Sequence, residues 1–82
     1  MSQTVYIVEC SDKTLYTGTA AHVTERVHEH NKTGAGAKYT RARRPVTLVY
    51  TEVLPNLSAA RKREMKIKQL SRKQKIELID RK

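Results

Sequence analysis

The sequence predicts an α+β domain with the element order ββαβαα. Residues rich in β-branched and aromatic side chains indicate strands at positions 4–10, 14–18 and 46–53. Apolar residues recur at helical spacing in 20–31, in 57–70 and after residue 71. A chain of 82 residues is too short for two ordinary domains, so we expect residues 1–82 to form a single domain around one small core.

The first two strands are predicted to form a hairpin. Residues 4–10 are apolar on both alternating faces, as expected of a central strand that is covered on both sides. Residues 11–13 have the composition of a turn, and residues 14–18 form the return strand. Because side chains alternate along a strand, an odd-length loop pairs even positions with even positions, which places Tyr6 and Tyr16 on one face.

The first helix carries two polar side chains on its apolar stripe. Arg26 and His30 are four residues apart and fall on the same stripe as Val23 and Val27. One interpretation is that both side chains contribute to a site. The other is that Arg26 extends outward to solvent and that His30 is a half-buried histidine with a backbone partner.

The second helix places one carboxylate on its inward face. The predicted inward stripe is Leu57, Ala60, Glu64 and Ile67. Glu64 stands among many Arg and Lys residues, which leaves two interpretations: a metal ligand, or an ion pair with Arg61, Lys68 or Arg26.

The last helix is predicted to begin at Ser71. Ser71 and Gln74 have the spacing of an S-x-x-Q capping box, and Ile76 and Ile79 are expected to point inward. The third strand, at residues 46–53, begins directly after Pro45.

Cysteine content and hydropathy exclude several classes of protein. Cys10 is the only cysteine, which excludes an internal disulfide and a cysteine-based zinc site and is typical of a reducing compartment. We expect it to be buried as a small hydrophobic side chain. The sequence contains neither a signal peptide nor about 18 consecutive apolar residues, so we expect a soluble cytoplasmic protein.

The positive charge is concentrated in the second half of the chain. Residues 1–37 hold three Lys/Arg against four Asp/Glu, whereas residues 38–82 hold fourteen against four. Such a one-sided field attracts polyanions and favours binding to nucleic-acid phosphates. A basic surface that only increases solubility is the alternative.

Two phenols, a guanidinium, an imidazole and a carboxylate are therefore predicted to meet over one strip of the sheet. Hydrolysis of a phosphodiester needs groups that deprotonate water and fixed cations that meet the charge on the phosphoryl oxygens. A hydrated Mg²⁺ commonly takes only one or two carboxylates, so one glutamate can anchor it. The set predicts metal-assisted phosphodiester cleavage, a prediction that fails if the glutamate points to bulk water on the far side from the phenols.

The motif order resembles the GIY-YIG nuclease domain, in particular its short stand-alone bacterial branch. The resemblance rests on Thr4-Val5-Tyr6, nine further residues, Tyr16-Thr17-Gly18, Arg26-x-x-x-His30 and then Glu64. It implies a three-stranded antiparallel sheet flanked by helices. It also implies endonucleolytic cleavage of DNA with a divalent metal ion, Mg²⁺ or Mn²⁺.

The resemblance implies a role for each motif residue. Tyr6 matches the tyrosine that acts as general base or orients the attacking water, and Tyr16 the one that supports the site and contacts substrate. Gly18 would allow a phosphate or the first helix to approach the backbone. Arg26 and His30 match the residues that stabilise transition-state charge and assist proton transfer.

Glu64 matches the family's metal ligand. The chain departs from the pattern at Thr4 and Thr17, and no asparagine follows Glu64 where larger family nucleases carry one. Lys66 or Lys68 is expected to fill that space and to contact nucleic acid.

The segment between the first helix and the third strand is a candidate substrate-holding loop. Its cations and single aromatic are Lys38, Tyr39, Arg41, Arg43 and Arg44. Cations beside an aromatic suit a phosphate track with one base-stacking platform. The alternative is a flexible basic loop.

Three functions from different classes fit these features. The first is a metal-dependent DNA endonuclease, with a protein partner as one possible source of specificity. The second is a non-catalytic nucleic-acid-binding subunit or adaptor, and the third is a small module whose charge targets an acidic protein.

Overall fold

A computed structural model of the protein describes residues 1–32 and 38–81. Three strands form one antiparallel sheet in the order β2-β1-β3: β1 spans Gln3–Glu9, β2 Leu15–Ala20 and β3 Thr47–Leu54. β1 is the central strand, paired on both edges and covered on both faces, which agrees with its apolar residues on both faces. β2 and β3 are therefore the two edge strands.

Four helices accompany the sheet in the described part of the chain. α1 spans Val23–Lys32, α2 Lys38–Arg41, α3 Leu57–Lys68 and α4 Arg72–Asp80. The predicted α+β class and the order ββαβαα are confirmed. The difference is α2, a single four-residue turn of helix inside the segment that was expected to be a loop.

The hairpin register confirms the prediction from loop length. Tyr6 pairs with Gly18 and Val8 pairs with Tyr16, so even positions oppose even positions. Because facing residues project to the same side, Tyr6 and Tyr16 lie on one face of the sheet.

Each face of the sheet is covered by a different helix. On one face the buried residues Tyr6, Val8, Cys10 and Val46 pack against Val23 and Val27 of α1. On the other face Val5, Ile7 and Tyr50 pack against Ala60 and Ile67 of α3, and Leu78 and Ile79 of α4 close the same core. We call these the α1 face and the α3 face.

The start of each C-terminal helix is fixed by a side chain. Asn56 caps α3 by accepting a hydrogen bond from the backbone N–H of Ala59 at 2.8 Å. Ser71 and Gln74 form the predicted capping box of α4. No helix in the part of the chain that the structure describes is long and apolar enough to cross a membrane.

Two inward assignments are wrong. Leu57 is 43% exposed and Ile76 is 39% exposed. Leu57 is the first residue of α3, before the buried part of the helix, and α4 contacts the core through Leu78 and Ile79. Cys10, in contrast, is buried as expected.

Candidate active site

Three polar side chains form a buried chain of hydrogen bonds beneath α1. The hydroxyl of Tyr6 lies 2.9 Å from Nε2 of His30, and Nδ1 of His30 lies 2.7 Å from the hydroxyl of Thr40. Tyr6 is 1% exposed, and His30 and Thr40 are fully buried. A buried imidazole needs partners at both nitrogens, and these two hydroxyls provide them. We call this group the phenol–imidazole network.

Burial keeps the network uncharged. Burial and the nearby charge of Arg26 hold the pKa of His30 below its usual value. Burial, assisted by Tyr16, raises the pKa of Tyr6, although Arg26 acts in the opposite direction. A neutral imidazole has one donor and one acceptor, so if Nδ1 donates to Thr40, then Nε2 accepts from the phenol. In that tautomer His30 is placed to receive the phenolic proton.

The absence of a side chain at Gly18 leaves room for the ring of Tyr6 against β2. A Cβ at position 18 would be 2.6 Å from the hydroxyl oxygen of Tyr6 and 2.7 Å from Cζ. Neither distance is compatible with ordinary packing. The close neighbour of Gly18 in this structure is thus Tyr6 on the paired strand, whereas contact with a phosphate stays a prediction.

Tyr16 and Arg26 border the same network. The ring of Tyr16 meets that of His30 edge-on, with centroids 5.6 Å apart. Nη1 of Arg26 lies 3.2 Å from Oε1 of Glu29, and the Arg26 side chain is 33% exposed. Four predicted site residues are thus brought together, and Tyr16 and Arg26 are the partly exposed ones.

Glu64 approaches the sheet from the opposite side. Thr19 pairs with Val5, so its side chain projects to the α3 face, and its hydroxyl donates a hydrogen bond to Oε1 of Glu64. The prediction that all five groups lie on one face is therefore wrong, because α1 and α3 cover opposite faces. Glu64 and Tyr6 nevertheless lie beside neighbouring residues of edge strand β2, and the carboxylate charge contributes to the raised pKa of Tyr6 after burial and Tyr16.

Glu64 lies in an open groove and is charged at neutral pH. The groove is lined by Thr19, Leu57, Arg61, Glu64, Met65 and Lys68, and we call it the Glu64 groove. Nζ of Lys68 lies 2.6 Å from Oε2 of Glu64. Burial alone would raise the pKa of Glu64, but hydrogen bonds from Lys68 and Thr19 outweigh it and hold the pKa below its usual value. The ion pair with Lys68 that the sequence left open is therefore present.

The donor set fits one kind of metal ion. Within residues 1–32 and 38–81, no three His, Cys, Asp or Glu side chains are grouped to hold a metal. A fully protein-ligated cation is thus not supported by the described residues. An ionised Glu64 in an open groove does fit a hydrated Mg²⁺ or Mn²⁺ that keeps most of its waters.

The basic segment before β3 is fastened to the rest of the domain. Nε of Arg43 lies 3.1 Å from a carboxylate oxygen of Asp12, and Nη1 of Arg44 lies 3.5 Å from the carbonyl oxygen of Asn31 in α1. Asn31 at the end of α1 exchanges two hydrogen bonds with the backbone of Val46. Arg43 and Arg44 therefore hold the segment in place.

The remaining candidates of this segment divide into two groups. Arg41 is exposed, whereas the side chains of Lys38 and Tyr39 lie outside the described residues, as do residues 33–37. Lys66 is exposed on α3. Nucleic-acid contact by any of them stays a prediction.

Sequence reasoning missed Thr19 and Thr40. Thr19 could have been predicted, because side chains alternate along β2. Gly18 is on the face of Tyr6, so Thr19 must project to the other face. No pattern in the sequence indicated Thr40 as a partner of the site. It is found only by asking which group bonds the second nitrogen of a buried His30.

Together, the three-stranded sheet, the paired tyrosines beside an arginine and a histidine, and the anchored glutamate define a domain of the GIY-YIG type. A family model described as the GIY-YIG catalytic domain matches residues 2–77. The chain belongs to this family, which is a nuclease superfamily.

The chain is similar to proteins that carry the name UPF0213. The UPF0213 protein of Syntrophus aciditrophicus (strain SB) is 55% identical over 75 residues, which cover 92% of this chain and 86% of the relative. That of Staphylococcus aureus (strain Mu3) is 55% identical over 78 residues, covering 95% and 94%.

Two solution NMR structures are similar to the whole fold. The UPF0213 protein BH0048 from Bacillus halodurans has a TM-score of 0.65 at 43% identity, covering 100% of this chain and 86% of that chain. EF2693 from E. faecalis has a TM-score of 0.65 at 38% identity, covering 98% and 84%. These names agree with the family and add no substrate.

Proposed function

We propose that the protein is a metal-dependent endonuclease that hydrolyses DNA phosphodiester bonds. The observation that carries the proposal is the arrangement along β2. The network of Tyr6 and His30 lies on one side of this edge strand with Arg26, and an ionised Glu64 is bonded to the same strand from the other side. β2 is an edge strand between the two covered faces, so a phosphate at this edge could contact groups from both of them.

The accessible members of the set would contact the substrate. Arg26 and Tyr16 are partly exposed, so they can reach a phosphate and the attacking water. The guanidinium meets the charge that develops on the phosphoryl oxygens. Tyr6 and His30 lie behind them. If Nε2 of His30 accepts from the phenol, the Tyr6 oxygen can take the proton that water loses while the phenolic proton passes to Nε2.

Glu64 would hold the divalent cation. Its low pKa keeps the carboxylate ionised, and Thr19 fixes the orientation of one of its oxygens. A bound Mg²⁺ or Mn²⁺ supplies Lewis-acid stabilisation of the phosphoryl oxygens and of the leaving alkoxide. The positive charge of residues 38–82 supplies affinity for the phosphate backbone of DNA, so DNA binding should weaken steeply as the salt concentration is raised.

The test is cleavage of supercoiled, branched and single-stranded DNA in Mg²⁺, Mn²⁺ or EDTA. Glu64→Gln and Arg26→Ala should each reduce metal-dependent cutting about 10²-fold or more. Glu77→Gln is the matched control, because it removes an exposed carboxylate from α4 outside the Glu64 groove. Circular dichroism checks that each variant is folded.

A second candidate is a non-catalytic nucleic-acid-binding domain. One observation favours it: Lys68 already occupies an oxygen of the carboxylate that would hold the metal. Binding of DNA without cutting, unchanged by Glu64→Gln, would support this function and contradict the nuclease.

A further inference from the structure

Both oxygens of Glu64 have partners, and the two partners differ in kind. Thr19 belongs to β2, and its hydroxyl is held by the strand that carries it. Lys68 approaches through a flexible four-carbon stem, with its ammonium 2.6 Å from Oε2. The Lys68 side chain is 52% exposed, against 21% for Glu64. One oxygen is therefore fixed by the sheet, and the other is held by a group that can move into water.

A divalent cation at Oε2 of Glu64 would compete with the Lys68 ammonium, which lies 2.6 Å from that oxygen. Mg²⁺ binds oxygen at about 2.0–2.1 Å, and its first water shell would fill the space that the ammonium occupies. The two positive charges would also repel each other at this separation. Binding of the metal at this oxygen is therefore favoured when Lys68 moves away from it.

The fold does not depend on keeping this ion pair. An i,i+4 pair on a helix contributes only a few tenths of a kcal/mol, and a half-exposed pair is further screened by water. Glu64 can therefore exchange Lys68 for another cation with little loss of stability. Its bond to Thr19 would persist and keep the carboxylate oriented.

We propose that the Lys68 ammonium pairs with Glu64 when no metal is bound and competes with the divalent metal for Oε2 of Glu64. This competition lowers the affinity of the Glu64 groove for the metal. The proposal rests on Glu64 as the metal ligand of the proposed function. While the metal is absent, Lys68 neutralises a carboxylate that would otherwise repel a phosphate. Lys68 is thus a positioning residue that makes the groove compatible with a polyanion before the metal arrives.

The test is the affinity of DNA-free protein for Mn²⁺, measured by calorimetry and by the electron paramagnetic resonance signal of free Mn²⁺. Lys68→Met keeps the length and helix propensity of the side chain while removing the ammonium. It should tighten Mn²⁺ binding by roughly three- to tenfold, because the variant removes not only the weak ion pair but also the repulsion between the ammonium and a divalent ion a few ångströms away.

Lys66→Met is the matched control. Lys66 is exposed on the same helix, and the ion pairs found among the described residues do not include it. Removing its charge lowers the general positive field by the same amount. We expect a change in Mn²⁺ affinity below about twofold, because the charges are separated by solvent.

Three results would overturn the proposal. Mn²⁺ affinity could be unchanged in Lys68→Met, could rise equally in Lys66→Met, or could still rise in the Glu64→Gln/Lys68→Met double variant. Cutting by the wild type with an unchanged affinity in Lys68→Met would remove this inference and leave the nuclease. A Glu64-dependent gain in affinity without any cutting would support this inference and remove the nuclease.

Discussion

The two faces of the sheet hold polar groups in different ways. On the α1 face, Tyr6, His30 and Thr40 are 0–1% exposed and are bonded to one another in series. On the α3 face, Glu64 is partly exposed and is bonded to a strand on one side and to a solvent-exposed lysine on the other. A buried chain of hydrogen bonds keeps its groups uncharged and holds their geometry, whereas an open groove lets a charged group exchange partners.

This difference matches the tasks proposed for the two sides. A proton acceptor functions best when buried partners hold its ring in one orientation, as Tyr6 and Thr40 hold His30. A hydrated metal ion needs an open position and access to water. The edge strand β2 brings both environments to one place because its two faces alternate residue by residue, with Gly18 toward one side and Thr19 toward the other.

The largest loss of stability should come from Gly18→Ala, which disrupts packing on the α1 face and leaves the α3 face unchanged. The new Cβ would meet Tyr6 at 2.6–2.7 Å, so the buried ring must move and give up its bond to His30. We expect a loss of about 3 kcal/mol in the free energy of unfolding, at the upper end for overpacking. Urea unfolding measures it.

Ala20→Ser is the control for Gly18→Ala, because it adds one atom on the same face of the same strand at a partly exposed position. A loss in Gly18→Ala no greater than in this control would mean that Tyr6 can move freely, and the network would not be rigid.

Thr40→Val should have the next largest effect. It removes the hydroxyl with little change of shape and leaves Nδ1 of buried His30 without that partner, at a cost of about 2 kcal/mol. Thr19→Val makes the same chemical change in the Glu64 groove, where water can replace the hydroxyl, so we expect less than about 1 kcal/mol. If Thr40→Val and Thr19→Val lost equal stability in thermal denaturation, the proposed difference between the α1 face and the α3 face would be wrong.

Thr17→Val should have a smaller effect of the opposite sign. Thr17 is buried on the α3 face, and its hydroxyl has no hydrogen-bond partner within the described residues. Replacing an unsatisfied buried hydroxyl by a methyl group should stabilise the protein by about 1 kcal/mol. A rise in the melting temperature confirms it. A fall would show that the hydroxyl does have a partner in solution.

The pH dependence of stability should be the smallest effect near neutrality. The unfolded imidazole of His30 binds a proton near pH 6.5, whereas burial and Arg26 hold its folded pKa below that value. The stability that depends on neutral His30 is therefore present above about pH 6.5 and is lost as pH falls from there through the folded pKa. The slope cannot exceed about 1.4 kcal/mol per pH unit for one proton.

Glu64 enters this pH dependence only at lower pH. Its folded pKa lies below the usual 4.5, because the hydrogen bonds from Lys68 and Thr19 outweigh its burial, so its contribution is present above about pH 4.5 and is lost below it. Urea unfolding at about pH 7.5 and about pH 5.5 isolates the histidine. Exposed His28 provides the control: His28→Gln should keep the slope, and His30→Gln should remove it.

Much of the local structure could be predicted from spacing. The three-residue turn set the hairpin register that pairs Tyr6 with Gly18, and Ser71 with Gln74 marked the start of α4. The stripe that carried Arg26 and His30 was also correct, since His30 is buried and Val23 and Val27 of the same stripe pack against the core. Each of these features depends on neighbours within a few residues, where backbone geometry fixes the relation.

The errors all concern where an element packs. Glu64 was expected on the face of the phenols and lies on the other, and Leu57 and Ile76 were expected inward and are exposed. Periodicity identifies the apolar side of a helix, but it contains no information about which side of a sheet that helix covers. α2, which supplies Thr40, has no apolar period because it is a single turn.

The sequence by itself determined which residues are candidates for the site and how they are spaced along each element, because helix and strand periods are properties of the local backbone. Only the tertiary structure decided that α1 and α3 cover opposite faces, that Tyr6 is buried behind Tyr16 and Arg26, and that Lys68 holds Glu64. These relations arise from packing between residues far apart in the chain, where burial of apolar surface selects the arrangement.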